Sequence, residues 1–183
     1  MEAIKKFVII GPESTGKSTL SKQLADHYKT LWVPEYAREF LLTHGMNYSY
    51  STLLNIAQGQ LKLEEEVVQN AGKHSGGLVF IDTDMYVMKV WCEYVFNECY
   101  NWILDRISER PYDGYLLCNI DIPWTRDELR EYPDIKIRQT LFHHYRDILI
   151  NQSVPWTQVS GDQETRLHSA IAFVEKELGK YST

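Results

Sequence analysis

The stretch "FVIIGPESTGKSTL", residues 7–20, sets four apolar residues ahead of a loop bounded by Gly11 and Gly16, then adds Lys17, Ser18 and Thr19. The apolar run over residues 4–10 is short, β-branched and ended by glycine, which predicts a buried strand. Leu20, Leu24 and Ala25 recur at helical spacing and predict a helix over 17–28. A glycine loop therefore joins a strand to a helix. In the pattern GxxxxGK[ST] the glycines let backbone N–H groups turn inward around a phosphate, the lysine reaches the outer phosphates and the hydroxyl ligates Mg²⁺. Gly11, Gly16, Lys17 and Ser18 fill every required place, and Pro12, Glu13, Ser14, Thr15 and Thr19 complete the cradle. The loop is expected to hold the β and γ phosphates of a nucleoside triphosphate; the alternative is a tight βα turn without a ligand.

Working outward, "LWVP" reads as a second strand and "EYAREFLLTHG" as a helix closed by Gly45. A long helix is expected from Ser51 to Ala71, ended by Gly72, before the third strand "GLVFIDTD". Residues 84–109 read as helical with a break near Asn101, and "GYLLCNI" as the fourth strand. The polar segment "DIPWTRDELREYPDIKIR" is too charged for core and too long for a turn, so it reads as a flap. A helix over 137–151, a short strand "TQVS" and a helix over 162–179 complete the chain. Strands alternating with helices imply an α/β fold whose parallel sheet is covered on both faces.

At 183 residues the chain is expected to form one domain over 1–183, with a lid at about 121–138. A net charge of -6 argues against nucleic acid or an anionic membrane as partner and favours a small molecule. Cys92, Cys99 and Cys118 show no CxxC spacing, which points to reduced thiols in a cytoplasmic compartment. No apolar run approaches the ~18 residues of a membrane span, and no signal peptide is visible.

Ligands of open parallel sheets lie at the carboxyl ends of the strands, and those ends are heavily charged here. Glu35, Arg38 and Glu39 follow the second strand and share a face if helical. Asp82 ends the third strand, where a carboxylate can orient a magnesium shell, and Asp84 stands two residues on. Either aspartate could instead cap the next helix. Arg126, Arg130 and Arg138 lie in or beside the flap, where arginines can stabilise a transferred phosphoryl group; solvated surface is the competing reading. Tyr36 and Tyr86 stand beside the acidic strand ends and could offer an aromatic face to a flat cationic ring. Trp32, Trp91 and Tyr94 read as core, and His143 and His144 as a solvated face.

"GPESTGKST", "EYAREF", "FIDTD" and "DIPWTRDELR", with Trp124, Asp127 and Arg130 and the later Arg138, resemble the nicotinamide riboside kinase domain of NadR-type proteins. That group is a branch of the P-loop nucleoside and nucleotide kinases, and the likeness runs over nearly the whole chain. It implies a five-stranded parallel sheet of order 2-3-1-4-5, an arginine-bearing lid, and ATP-dependent phosphorylation of the 5′-hydroxyl of nicotinamide riboside to nicotinamide mononucleotide. Longer NadR-type proteins carry further domains ahead of this one, and the early P-loop strand leads to the expectation of a lone kinase.

On that basis Lys17 and the loop amides grip the phosphates of ATP, Ser18 binds Mg²⁺ and Asp82 orients its shell. Glu35 is the first candidate for the base, Asp82 the second. Tyr36, Arg38, Glu39, Asp84 and Tyr86 are expected to hold the acceptor, and Arg130 and Arg138 to close over the phosphoryl group. The alternatives are a kinase for another small nucleoside and a regulatory module that binds ATP as a signal.

Overall fold

The computed structural model describes residues 4–74 and 77–179. The single-domain expectation over 1–183 also covers residues 1–3, 75–76 and 180–183, which lie outside the described residues. Five parallel strands, β1 (Lys5–Ile10), β2 (Leu31–Val33), β3 (Leu78–Asp82), β4 (Gly114–Cys118) and β5 (Trp156–Val159), pair in the order β2-β3-β1-β4-β5, as expected. The helices are α1 (Lys17–Tyr28), α2 (Tyr36–His44), α3 (Tyr50–His74), α4 (Met85–Phe96), α5 (Asn101–Glu109), α6 (Ile135–Ile150) and α7 (Gln163–Glu177).

Alternation along β1 shows how the layers form. Phe7 and Ile9 pack with Leu20 and Leu24 of α1 and Val174 of α7, whereas Val8 and Ile10 pack with Val87 of α4 and Leu141 of α6. All four β1 side chains are fully buried, so a polar substitution at any of them would disrupt one face of the sheet. A third cluster, with Leu41, Leu53, Ile56, Met88 and Ile103, joins α2, α3, α4 and α5.

Three boundaries differ from the sequence reading. Gly72 does not end α3, which runs to His74. Buried Ala71 and partly buried Val67 and Val68 pack on the sheet cluster. That packing outweighs the ~1 kcal/mol a glycine costs inside a helix. The break between α4 and α5 starts at Asn97, where the left-handed φ of 57° ends the helix and the backbone N–H bonds Glu93 O. Asp134 caps α6 by accepting from Lys136 N at 2.8 Å, so the helix starts at Ile135 and Arg138 belongs to its first turn.

Candidate active site

The loop after β1 is built for an anion. Gly11 holds φ at 144°, and a Cβ there would stand 2.8 Å from Cys118 O, so only glycine lets the end of β4 come this close. Thr15 Oγ1 and Lys17 Nζ donate to Pro12 O at 2.7 and 3.1 Å. Gly16, the N-cap of α1, supplies no side-chain cap, and the first turn holds no acidic residue. The first-turn amides and the positive end of the helix dipole are thus open to phosphate. Behind the loop, Arg166 of α7 donates to Thr15 O, Gly161 O and Asn119 O at 3.0, 2.8 and 2.9 Å and pairs with Asp121.

Ser18 Oγ donates to Asp82 Oδ2 at 2.5 Å. Asp82 is fully buried, and burial together with the nearby Glu35 charge pushes its carboxyl up to about 6, against the pull of Lys17 and the Ser18 hydroxyl. A hydroxyl beside a carboxylate is an oxygen donor pair suited to Mg²⁺. Among the described residues no group of three or more His, Cys, Asp or Glu could hold a metal, so a magnesium ion here needs phosphate oxygens and water to complete its shell.

Thr83 turns the chain after β3 with φ of 78°, an uncommon state for a β-branched residue, and it separates the two aspartates. Asp82 faces Ser18. Asp84 faces away, accepting from Tyr86 N and Val87 N at 2.9 and 3.3 Å as the N-cap of α4, and from Tyr115 Oη at 2.9 Å. Burial pushes its carboxyl up to about 7, although these hydrogen bonds favour the charged form.

A cavity of about 380 Å³ opens from the loop toward α2, α4 and the segment between β4 and α6. Residues 121–134 of that segment contain no helix or strand and cross over the loop. Thr125 N donates to Ser14 Oγ at 3.0 Å, and Arg38 of α2 pairs with Asp127 at 2.9 Å, which holds the Asp127 carboxyl below its usual range. Arg130 lines the cavity and donates to Thr125 O at 2.5 Å. Arg138 is 3% exposed and reaches Ser14 O at 3.3 Å, while its buried Nε has no hydrogen-bond partner among the described residues. A buried cation with an unused donor beside a phosphate loop is suited to an anion.

Of the expected acceptor residues, Glu35 and Arg38 line this cavity. Glu35 takes the N-cap position of α2 without a side-chain capping bond, which leaves its carboxylate to the cavity. Tyr36, Glu39, Asp84 and Tyr86 are not among its walls. The Tyr36 ring occupies the space over Gly59 of α3, Glu39 points to solvent, Asp84 is consumed by its cap, and the Tyr86 ring packs 5.6 Å from Tyr115. The aromatic wall is instead Trp91 and Tyr94 of α4, Tyr132, and Tyr145 of α6. Trp91 Nε1 donates to Tyr48 Oη at 3.1 Å, and Tyr48 donates to Glu131, another wall residue, at 2.9 Å. Sequence reasoning placed Trp91 and Tyr94 in the core. The signal that separates them is a second stripe on α4: Val87, Val90, Trp91 and Tyr94 face the cavity, whereas Met85, Met88 and Cys92 pack toward α3 and α5.

Residues 6–166 match a protein family described as the AAA domain. The chain belongs to that family. The chain is 26% identical over 182 residues to the trifunctional NAD biosynthesis/regulator protein NadR of Salmonella typhimurium, and 25% identical to that of Escherichia coli. The alignments cover 97% of this chain and 43% of each relative, so this AAA-domain chain spans less than half the length of the curated relatives it matches. A crystal structure of NadR protein in complex with NR superposes with a TM-score of 0.81 at 23% identity, covering 96% of this chain and 50% of that one. Thymidylate kinase from Ehrlichia chaffeensis follows the same fold, with a TM-score of 0.66 at 15% identity over 97% of this chain and all of that one. The AAA-domain chain thus shares the fold of these structures and is similar in sequence to NadR over nearly its whole length, the likeness its motifs led one to expect.

Proposed function

We propose that this protein is an ATP- and Mg²⁺-dependent kinase that converts nicotinamide riboside to nicotinamide mononucleotide. The observation that carries it is the single cavity that joins a phosphate loop to a chamber walled by Trp91, Tyr94, Tyr132 and Tyr145 and by the carboxylates of Glu35, Asp127 and Glu131. Aromatic faces and carboxylates suit a flat ring with a permanent positive charge, and a neutral nucleoside gains less from them. The relatives are named for NAD biosynthesis, one solved NadR structure holds NR and another holds NAD and AMP-PNP, which supports the same choice.

Lys17 and the open amides of α1 hold the β and γ phosphates of ATP. A second cavity of about 150 Å³, bordered by Thr19, Gln23, Ile122, Gln163 and Arg166, supports seating the base beside the start of α7. Ser18 and Asp82 would hold a magnesium ion, which would supply positive charge to the phosphate oxygens. Glu35 reaches the cavity and Asp82 does not, which favours Glu35 as the group that takes the proton from the acceptor's 5′-hydroxyl. The freed oxygen attacks the γ phosphorus in line, the bond to the β-phosphate oxygen breaks and ADP leaves. Arg138 and Arg130 stabilise charge on the equatorial oxygens, and the segment over the loop excludes water.

Initial rates with nicotinamide riboside, uridine and deoxycytidine at saturating ATP and magnesium test this. Two or three desolvated charge and ring contacts of about 1 kcal/mol each give at least about a tenfold preference in kcat/KM for nicotinamide riboside. Glu35→Gln is expected to lose about a hundredfold in kcat. Equal rates with uridine or deoxycytidine overturn the substrate, an almost fully active Glu35→Gln moves the base to Asp82, and no transfer to any nucleoside leaves a module that only binds ATP.

A further inference from the structure

Glu13 is an unexpected residue inside a phosphate cradle, because a carboxylate there repels the phosphates that the loop collects. Its partners account for it. Oε1 accepts from Trp124 Nε1 at 3.0 Å and from Tyr132 N at 2.7 Å, and Oε2 accepts from Glu131 N at 2.9 Å. All three donors belong to the segment between β4 and α6, and they bracket the stretch that contributes Asp127, Leu129, Arg130, Glu131 and Tyr132 to the cavity wall. Hydrogen bonds to an ionised acceptor are stronger than neutral ones, and here one side chain gathers three of them across more than a hundred residues of sequence.

We propose that Glu13 is a positioning residue: it latches the segment onto the phosphate loop and thereby sets Tyr132, Glu131 and Arg130 in the acceptor chamber, rather than binding phosphate itself. The inference rests on the kinase reading for the identity of the acceptor, but the latch is a property of the protein alone. Arg138, whose charge lies near Glu13, offsets the negative charge that the latch brings to the site. With the latch open, the chamber loses one wall and water gains access to the γ-phosphoryl group. ATP is then split by water to ADP and phosphate at the expense of transfer.

Glu13→Gln keeps an acceptor for Trp124 and Tyr132 but sets an amide N–H against Glu131 N, and Glu13→Ala removes every contact. Two arms read the result. In the first, ligand-free full-length protein is digested briefly with trypsin, and cleavage after Arg126 or Arg130 is timed by mass spectrometry. Loss of hydrogen bonds to a charged acceptor is expected to speed that cleavage by about tenfold or more in Glu13→Ala and by a smaller factor in Glu13→Gln. In the second, Glu13→Ala is expected to raise the acceptor KM by about tenfold while the ATP KM stays within about twofold, and to raise the ratio of ATP hydrolysis to transfer. Wild-type cleavage rates in a Glu13→Ala protein of unchanged melting temperature overturn the latch. So does a raised ATP KM with an unchanged acceptor KM. If wild type phosphorylates no nucleoside, the kinase reading fails while the trypsin arm still decides the latch. Should Glu13→Ala fail to fold, Glu13→Gln decides it on the same two readouts.

Discussion

Asp84 separates a structural role from a substrate-binding one, and the two make opposite predictions for Asp84→Asn. In the folded protein the amide oxygen can keep the Tyr86 and Val87 N–H bonds, and the amide N–H₂ can donate to Tyr115 Oη, which then accepts instead of donating. What changes is the charge. Burial raises the Asp84 carboxyl from 3.8 to about 7, so the folded state holds the proton that the unfolded chain releases. A raised folded-state value means stability is fully present below about pH 4 and is lost as pH rises to about 7. At about 1.4 kcal/mol per pH unit the full loss comes to about 4 kcal/mol, of which about 2 kcal/mol falls between pH 5 and pH 7 and about 3 kcal/mol between pH 5 and pH 8. The asparagine variant is free of it. Its melting temperature relative to wild type should therefore rise by about 8 °C between pH 5 and pH 8, with the change levelling off only above pH 7. Asp84→Ala, by contrast, loses the cap and leaves the Tyr115 hydroxyl buried without its partner, a cost of about 3 kcal/mol at pH 5. Calorimetry of the three proteins across pH 5–8, with acceptor KM measured alongside, checks this. A pH-independent difference between Asp84→Asn and wild type refutes the burial argument. A tenfold rise in acceptor KM at unchanged stability returns Asp84 to the substrate site.

Lys17→Ala is expected to lower phosphoryl transfer by about a thousandfold or more while the melting temperature holds, since the lysine lines the cavity and is proposed to serve phosphate with its charge; a folded variant with wild-type turnover refutes this. Arg138→Ala should reduce kcat more than ATP affinity under the proposed role, in which its unused Nε donor serves charge that develops during transfer; equal losses in both assign it to ground-state binding. Asp82 must be ionised to hold magnesium, so with its carboxyl raised to about 6, kcat/KM for MgATP should fall about tenfold from pH 7 to pH 5. A flat profile over that range contradicts the assignment.

The fold was legible because its signals are local. A β-branched run ended by glycine announces β1, the GxxxxGK spacing fixes the loop, and the charged strand ends mark where Glu35 and Asp82 lie. Most of the chamber was not legible, because its walls come together only through tertiary packing. Tyr132 and Tyr145 are separated from Trp91 by more than forty residues of sequence, yet all line one cavity. Apolar periodicity cannot tell a helix face turned to a chamber from one turned to the core, so Trp91 and Tyr94 read like Met88. The structure sets Tyr36, Glu39, Asp84 and Tyr86 outside the walls of that cavity. Closeness to a strand end in sequence placed them at the site, whereas the left-handed turn at Thr83 sends Asp84 into the body of the protein and α2 carries Glu39 out to solvent.

Glu35 and Asp82 stand beside the phosphate loop in different surroundings. Burial and the Glu35 charge raise the Asp82 carboxyl to about 6, while Lys17 and the Ser18 hydroxyl pull the other way. Asp82 is therefore largely ionised at pH 7 and loses its charge toward pH 5. Asp82 is fully buried against the Ser18 hydroxyl and is not a wall of the cavity, whereas Glu35 is. In the proposed reaction, position rather than residue type separates the two carboxylates: Asp82 with Ser18 would hold a magnesium ion, and Glu35 would meet the acceptor hydroxyl. A cation held on the Asp82 side would favour the charged form of that carboxylate, which is why the expected loss of activity toward pH 5 reports on Asp82.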